Sequence, residues 1–234
     1  MVDYNNSKIV EEGYKVASTE GGQGIKKDSL FSNYQLKEYQ FSISKCKKFR
    51  RALDIGGCYG IQSIRMAKDF ATVEVFEPLF YKFLEYNTKE FDNVNIHPYA
   101  LSSESGTATM RVGLFNSGGS NIAGRKKHHR QTYEEVKTRT LDSYKFTDVD
   151  FIKIDVEGHE IEVINGAKET ITNNKPVLLV EIEERHTQLP VIESINYIKK
   201  LGYNCFYIND KKLVPIDRLE NTKLENNYYF IPKN

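Results

Sequence analysis

The sequence predicts an α/β fold with a mostly parallel sheet covered by helices on both faces, and three observations carry that expectation. From about Arg51 onward, short apolar runs of strand character alternate with segments of helical spacing. Two of those runs end in an acidic residue, Asp54 and Glu77. Between them, Gly56-Gly57-Cys58-Tyr59-Gly60 turns the chain from strand into helix, the arrangement of βαβ nucleotide-binding units. A chain of 234 residues is long enough for one large domain that buries roughly 70% of its unfolded surface. Residues 49–234 are expected to form that domain, with residues 1–48 as an N-terminal extension or substrate lid.

The elements follow in order. Residues 51–55 form a buried strand, and the helix over about 61–70 offers unpaired N–H groups to an anionic group. Residues 72–76 make a second apolar strand closed by Glu77; Pro78 suits a helix start, and 79–91 place apolar residues at helical spacing. Residues 94–101 read as a third strand. Residues 106–115 alternate like a strand and can pair with 135–140 across an irregular loop. The apolar run 151–155 is a further buried strand, followed by a helix over about 160–172 and a central strand over 176–182. A helix over 191–201 stops at Gly202, where a left-handed C-cap is expected. Two aromatic strands, 203–208 and 227–231, fit an antiparallel pair at one sheet edge.

Composition narrows the function. With 33 Lys+Arg against 32 Asp+Glu the formal net charge is +1, so no global field draws the chain to nucleic acid or membrane. Cys46, Cys58 and Cys205 are odd in number and widely spaced, which fits reduced thiols in a cytoplasmic protein better than disulfides or zinc. No apolar run approaches the ~20 residues needed to span a bilayer, so a soluble protein is expected.

The glycine turn selects among nucleotide ligands. It lacks the G-x-G-x-x-G spacing that brings a helix close to a pyrophosphate, and Asp54 would repel a diphosphate. Asp54 suits an ammonium group instead, which S-adenosylmethionine carries beside its sulfonium. Asp54, Gly56, Gly57 and Gly60 are therefore expected near the methionine part, and Tyr99, Ala100 and Leu101 near the adenine. Glu77 stands roughly the ~20 residues past the turn at which a carboxylate meets ribose hydroxyls; a helix-capping acid is the alternative.

Five segments together resemble one family: Asp54-Ile-Gly-Gly-Cys-Tyr-Gly60, Phe76-Glu77-Pro78, Tyr99-Ala-Leu-Ser102, Thr140-Leu-Asp142, and Ile152-Lys-Ile-Asp-Val-Glu-Gly-His-Glu160 followed by Gly166-Ala167. They look like an FkbM-type S-adenosylmethionine-dependent methyltransferase over about residues 53–183. The resemblance implies a Rossmann-like class I methyltransferase, with a seven-stranded, mostly parallel sheet and one antiparallel edge strand. It also implies O-methylation of a hydroxyl on a sugar, glycan or secondary metabolite. Cys58 stands where the family commonly has Asn, and the first fifty residues show no family pattern.

Methyl transfer to oxygen is an in-line displacement, and a hydroxyl becomes a competent nucleophile when a base within hydrogen-bond reach removes its proton. Asp155, Glu157, His159 and Glu181 are the candidates, because they lie at or just beyond the ends of expected central strands, where open α/β sheets bind ligands. The blander reading is that Glu157 and Glu160 favour a helix N-terminus and His159 is solvated. Several carboxylates could instead hold Mg²⁺, a reading less favoured than simple base catalysis. Arg125, Lys126 and His186 are candidate acceptor-binding residues. The run Gly124-Arg-Lys-Lys-His-His-Arg130 could clamp an anionic acceptor such as a nucleotide-sugar. The expected partner is thus a small-molecule or glycan acceptor. A nicotinamide (NAD)-linked oxidoreductase and a non-catalytic adenosine-binding module are the competing readings.

Overall fold

A computed structural model describes residues 7–9, 15–17, 34–112, 121–122, 132–183, 190–209, 212–216 and 226–233. Arg125, Lys126 and His186 lie outside them. Strands β1 (Ser7–Ile9) and β2 (Lys15–Ala17) form an antiparallel pair, followed by helix α1 (Leu36–Ile43). The central unit alternates β3 (Arg51–Ile55), α2 (Ile61–Asp69), β4 (Thr72–Phe76), α3 (Tyr81–Thr88) and β5 (Val94–His97). Strands β6 (Ala100–Leu101), β7 (Gly106–Val112), β8 (Asn121–Ile122) and β9 (Thr132–Arg139) build a separate small sheet in the order β6-β9-β7-β8. A 3-10 turn (Leu141–Tyr144) leads into β10 (Val149–Ile154), α4 (Glu160–Asn165), α5 (Lys168–Asn174) and β11 (Val177–Glu181). Helix α6 (Val191–Lys199) and strands β12 (Tyr203–Asn209), β13 (Lys212–Pro215) and β14 (Asn227–Pro232) complete the chain.

The main sheet has eight strands in the order β13-β12-β14-β11-β10-β3-β4-β5. From β11 to β5 every pairing is parallel. Omitting β13, a hairpin partner of β12, leaves a seven-stranded sheet. Its reversed strand, β14, sits between β11 and β12 rather than at the edge expected from sequence. At that position Tyr228, Tyr229 and Phe230 are buried between the neighbouring strands and the packed faces.

Alternation along each strand sends side chains to two cores. On one face Leu53, Ile55, Ile152, Ile154, Leu178 and Val180 pack with residues of α4, α5 and α6. On the other, Ala52, Val75, Phe151 and Leu179 pack with Tyr39 of α1 and Met66 of α2. Tyr39 is fixed there by an edge contact to the Phe151 ring and a 2.6 Å hydrogen bond to Asp69. Burying each such apolar side chain contributes about 1.5–3 kcal/mol, so α1 is anchored firmly over the sheet.

The single helix expected over about 160–172 is two, broken at Gly166–Ala167. A Cβ on Gly166 would lie 2.1 Å from the Ser102 carbonyl oxygen, and the Gly166 carbonyl accepts the Asp142 N–H at 2.9 Å. Asp142 in turn accepts the Glu169 N–H at 3.0 Å, the Thr170 N–H at 2.8 Å and the Thr170 hydroxyl at 2.7 Å, which caps α5. The Thr140-Leu-Asp142 segment is thus tied to architecture.

Candidate active site

The parallel register builds the site. Lys153 on β10 lies beside Asp54 on β3 and Leu179 on β11. Two residues on, the strand period returns Asp155 and Glu181 to the same face, at the carboxyl ends of their strands. The chain beyond β3 must clear β10 closely. A Cβ on Gly56 would fall 1.9 Å from the Asp155 carbonyl oxygen, and Gly56 has φ +86°, so glycine is required twice over. Gly57 serves packing instead, since a Cβ there would meet Val75 Cγ1 at 2.3 Å. Gly60, at φ 90°, is the N-cap of α2.

Asp54 is fully buried. Its Oδ2 accepts the Ser63 hydroxyl at 2.6 Å, whereas Oδ1 has no hydrogen-bond partner among the described residues. Burial pushes this carboxyl above its ordinary value, with Lys153 and Ser63 opposing the shift. An unsatisfied buried acceptor at the head of a glycine turn fits a cationic donor such as the ammonium of S-adenosylmethionine.

Glu77 is as fully engaged as Asp54 is open. Its Oε1 accepts the Leu79 N–H at 2.8 Å and the Phe80 N–H at 3.0 Å, and its Oε2 accepts the Cys58 N–H at 2.9 Å. The carboxylate therefore ties the glycine turn to the segment entering α3. Oε2, which accepts a single bond, keeps a further lone pair for a ribose hydroxyl.

The structure brings Asp155 and Glu181 together. The Lys153 ammonium donates to Asp155 Oδ2 at 2.8 Å, and the Asp155 charge acts on the Glu181 carboxyl beside it. Glu181 is held well above the usual carboxylate range, first by burial and then by the Asp155 charge. Lys153 is 3% exposed, and despite burial the Asp155 and Asp54 charges hold its ammonium above the ordinary lysine value. Sequence reasoning passed over Lys153, although a lysine within the apolar run 151–154, two residues before an aspartate, is a legible signal. Gln35 and Tyr34 were missed as well. Gln35 Nε2 donates to Glu181 Oε2 at 2.9 Å, and the Tyr34 phenol lies in the field of Asp155, Lys153 and Glu181.

The other candidates stand apart. His159 is the N-cap of α4 and its Nε2 is 2.9 Å from the Ser102 hydroxyl; burial lowers its basicity and Glu162 opposes this. Glu157 occupies a turn at φ 54°. Ala100 and Leu101 point into hydrophobic clusters, and the Tyr99 ring lies 4.5 Å from the Arg139 guanidinium carbon. Among the described residues no group of three His, Cys, Asp or Glu side chains is placed to hold a metal ion. No described helix is long and apolar enough to cross a membrane.

Glu160, 3% exposed, accepts the Gly158 N–H at 2.9 Å, and burial pushes its carboxyl up to about 7 from an ordinary 4.5. A carboxyl raised on folding supports stability fully below its unfolded value and loses that support as pH rises through the folded value. Glu160→Gln is therefore expected to leave stability unchanged near about pH 4.5 and to gain about 2–3 kcal/mol above about pH 7. Urea unfolding at two pH values reads this directly; an equal difference at both would exclude it.

A glycine turn between two acid-ended strands, and a reversed strand set inside an otherwise parallel seven-stranded sheet, define the class I methyltransferase fold. Within that class the chain belongs to the FkbM methyltransferase family, whose model, the Methyltransferase FkbM domain, matches residues 54–205. No curated protein sequence matches the chain. Among solved structures it is similar to an FkbM methyltransferase from Methylobacillus flagellatus KT, with 17% identity and a TM-score of 0.52. That match covers 78% of this chain and 43% of the other, so the chain spans less than half of that protein's length. A SAM-dependent O-methyltransferase from Thermotoga maritima aligns with 14% identity over 88% of this chain and 72% of its own, at a TM-score of 0.48. At 17% identity the likeness to the Methylobacillus protein speaks for the fold alone.

Proposed function

We propose that the protein is an S-adenosylmethionine-dependent O-methyltransferase whose acceptor is a hydroxyl of a sugar, glycan or similar polyhydroxyl small molecule. The observation that carries this reading is the Asp155–Glu181 carboxyl pair beside the Asp54 and Gly56 turn. Asp54, Gly56 and Gly60 would hold the methionine part of the cofactor and Glu77 its ribose. When bound, S-adenosylmethionine supplies a methyl group on a sulfonium leaving group. The protein's own work is then to place the acceptor oxygen in line and to accept its proton at the Asp155 carboxylate. Lys153 fixes one oxygen of that carboxylate, and the Glu181 carboxyl flanks it. A buried site carrying these carboxyl groups favours an uncharged hydroxyl over an anionic reacting group.

Calorimetry with S-adenosylmethionine and with NAD, followed by labelled methyl transfer to a panel of nucleotide-sugars and free glycans, tests the proposal. Binding of S-adenosylmethionine with transfer to a hydroxyl is expected. Preference for NAD would make the chain an oxidoreductase, and cofactor binding without transfer to any acceptor would make it a binding module. Glu77→Ala is expected to weaken S-adenosylmethionine binding by about 1.5–3 kcal/mol, the range for hydrogen bonds to a charged group. Unchanged affinity in the folded variant would leave Glu77 with its capping role only.

A further inference from the structure

We propose that Gln35 is a positioning residue for methyl transfer, its side-chain amide holding the Glu181 carboxyl against Asp155 and tying both to the helix that leaves the glycine turn. The inference rests on the reading of Asp155 and Glu181 as the proton-handling pair, and a chain of contacts supports it. Arg65 Nη1 donates to Gln62 Oε1 at 3.1 Å, Gln62 Nε2 to Gln35 Oε1 at 3.3 Å, and Gln35 Nε2 to Glu181 Oε2 at 2.9 Å. Arg65 Nη1 also donates to the Tyr34 carbonyl at 2.6 Å, fixing the backbone just ahead of Gln35. Both Gln62 and Arg65 belong to α2, which begins at the glycine turn, and both are buried. The hydrogen bonds therefore run from the cofactor-side helix to the Glu181 carboxyl without a gap.

Two local features make Gln35 more than a chance contact. It occupies the N-cap of α1, where a side chain ordinarily bonds the helix's own N–H groups, yet it makes no such bond. Its backbone is left-handed, φ 49° and ψ 25°, a conformation that costs a non-glycine residue on the order of 1 kcal/mol. The side chain has thus given up a stabilising local role and holds a strained backbone in order to face Glu181 and Gln62. Gln35 can donate one N–H to a carboxyl and accept another with its carbonyl, which no shorter or acidic side chain does at this reach.

The groups facing Glu181 are Asp155 and Lys153 from the β10 side and the Tyr34 phenol from the segment ahead of α1, while β14 places uncharged Asn227 opposite it. Of these neighbours, Lys153 and Gln35 oppose proton retention by Glu181. Removing the Gln35 amide must then raise the pH at which Glu181 loses its proton. Gln35→Asn is the informative variant, because asparagine tolerates the left-handed backbone but is one methylene too short to reach. Carboxyl ¹³C NMR of the unliganded protein, with Glu181→Gln to assign the resonance, is expected to show the Glu181 midpoint about 1 unit higher in Gln35→Asn. In methyl transfer the same variant is expected to lose about tenfold in kcat, with KM for S-adenosylmethionine unchanged and the alkaline limb of the rate profile displaced upward. Gln35→Met repeats the NMR measurement should the asparagine variant fail to fold. An unmoved midpoint overturns the proposal whatever the enzyme does. A moved midpoint in a protein that methylates no acceptor upholds the Gln35 contact and removes only the catalytic reading that it serves.

Discussion

Asparagine in place of Asp155 is expected to slow methyl transfer by about 10²–10⁴-fold, the usual size of a general acid–base contribution, while cofactor affinity stays nearly constant. Asparagine preserves the shape of the side chain and an oxygen for the Lys153 ammonium, now 2.8 Å from Asp155 Oδ2, but it cannot take up a proton. Lys153 keeps the Asp54 charge beside it, so the variant should fold. Single-turnover kinetics with saturating acceptor, alongside calorimetry for S-adenosylmethionine, separate the chemical step from binding. Turnover that survived the change would reduce Asp155 to an architectural carboxylate and direct attention to Glu181, Glu157 and His159 in turn. Loss of activity in EDTA with recovery in Mg²⁺ would replace base catalysis by a metal-assisted reaction.

Lys153→Met is expected to cost about 3–5 kcal/mol of stability at about pH 8, the penalty for removing one partner from a buried ionic group. The ammonium serves Asp54 and Asp155 at once, and Asp54 is fully buried with Lys153 the chief influence that lowers its pKa. The sign follows from linkage. A lysine raised on folding contributes stability throughout the range below its unfolded value, so the wild-type protein keeps this support across neutral pH. In the variant, the Asp54 carboxyl rises further; it is tolerated at acidic pH and becomes a growing burden as pH climbs above the ordinary carboxylate range. Urea midpoints at about pH 5 and about pH 8 should therefore diverge more in the variant than in the wild type. A loss below about 1 kcal/mol at the higher pH would mean that water or another cation already neutralises the pair.

The parts of this protein legible in its sequence are those set by near neighbours in the chain. Strands β3, β4, β10 and β11 stand out as short branched apolar runs, and Asp54, Glu77 and Asp155 at or near their ends follow from where such runs stop. The glycine turn announces itself because its geometry excludes a Cβ, as the 1.9 Å approach of Gly56 to the Asp155 carbonyl makes plain. Lys153 was legible in principle, since a cation within a buried strand requires a countercharge. What the tertiary structure alone decided is pairing over distance. Nothing local to residues 227–232 says that β14 inserts between β11 and β12, and nothing around Gly166 says that the Ser102 carbonyl will press against it and break the helix. Gln35 lies 146 residues from Glu181, and periodicity reports only which face a residue shares with its neighbours along the chain. The partner of a buried polar atom is chosen when elements pack, because each N–H or carboxyl brought out of water must find its bond among whatever the fold has placed beside it.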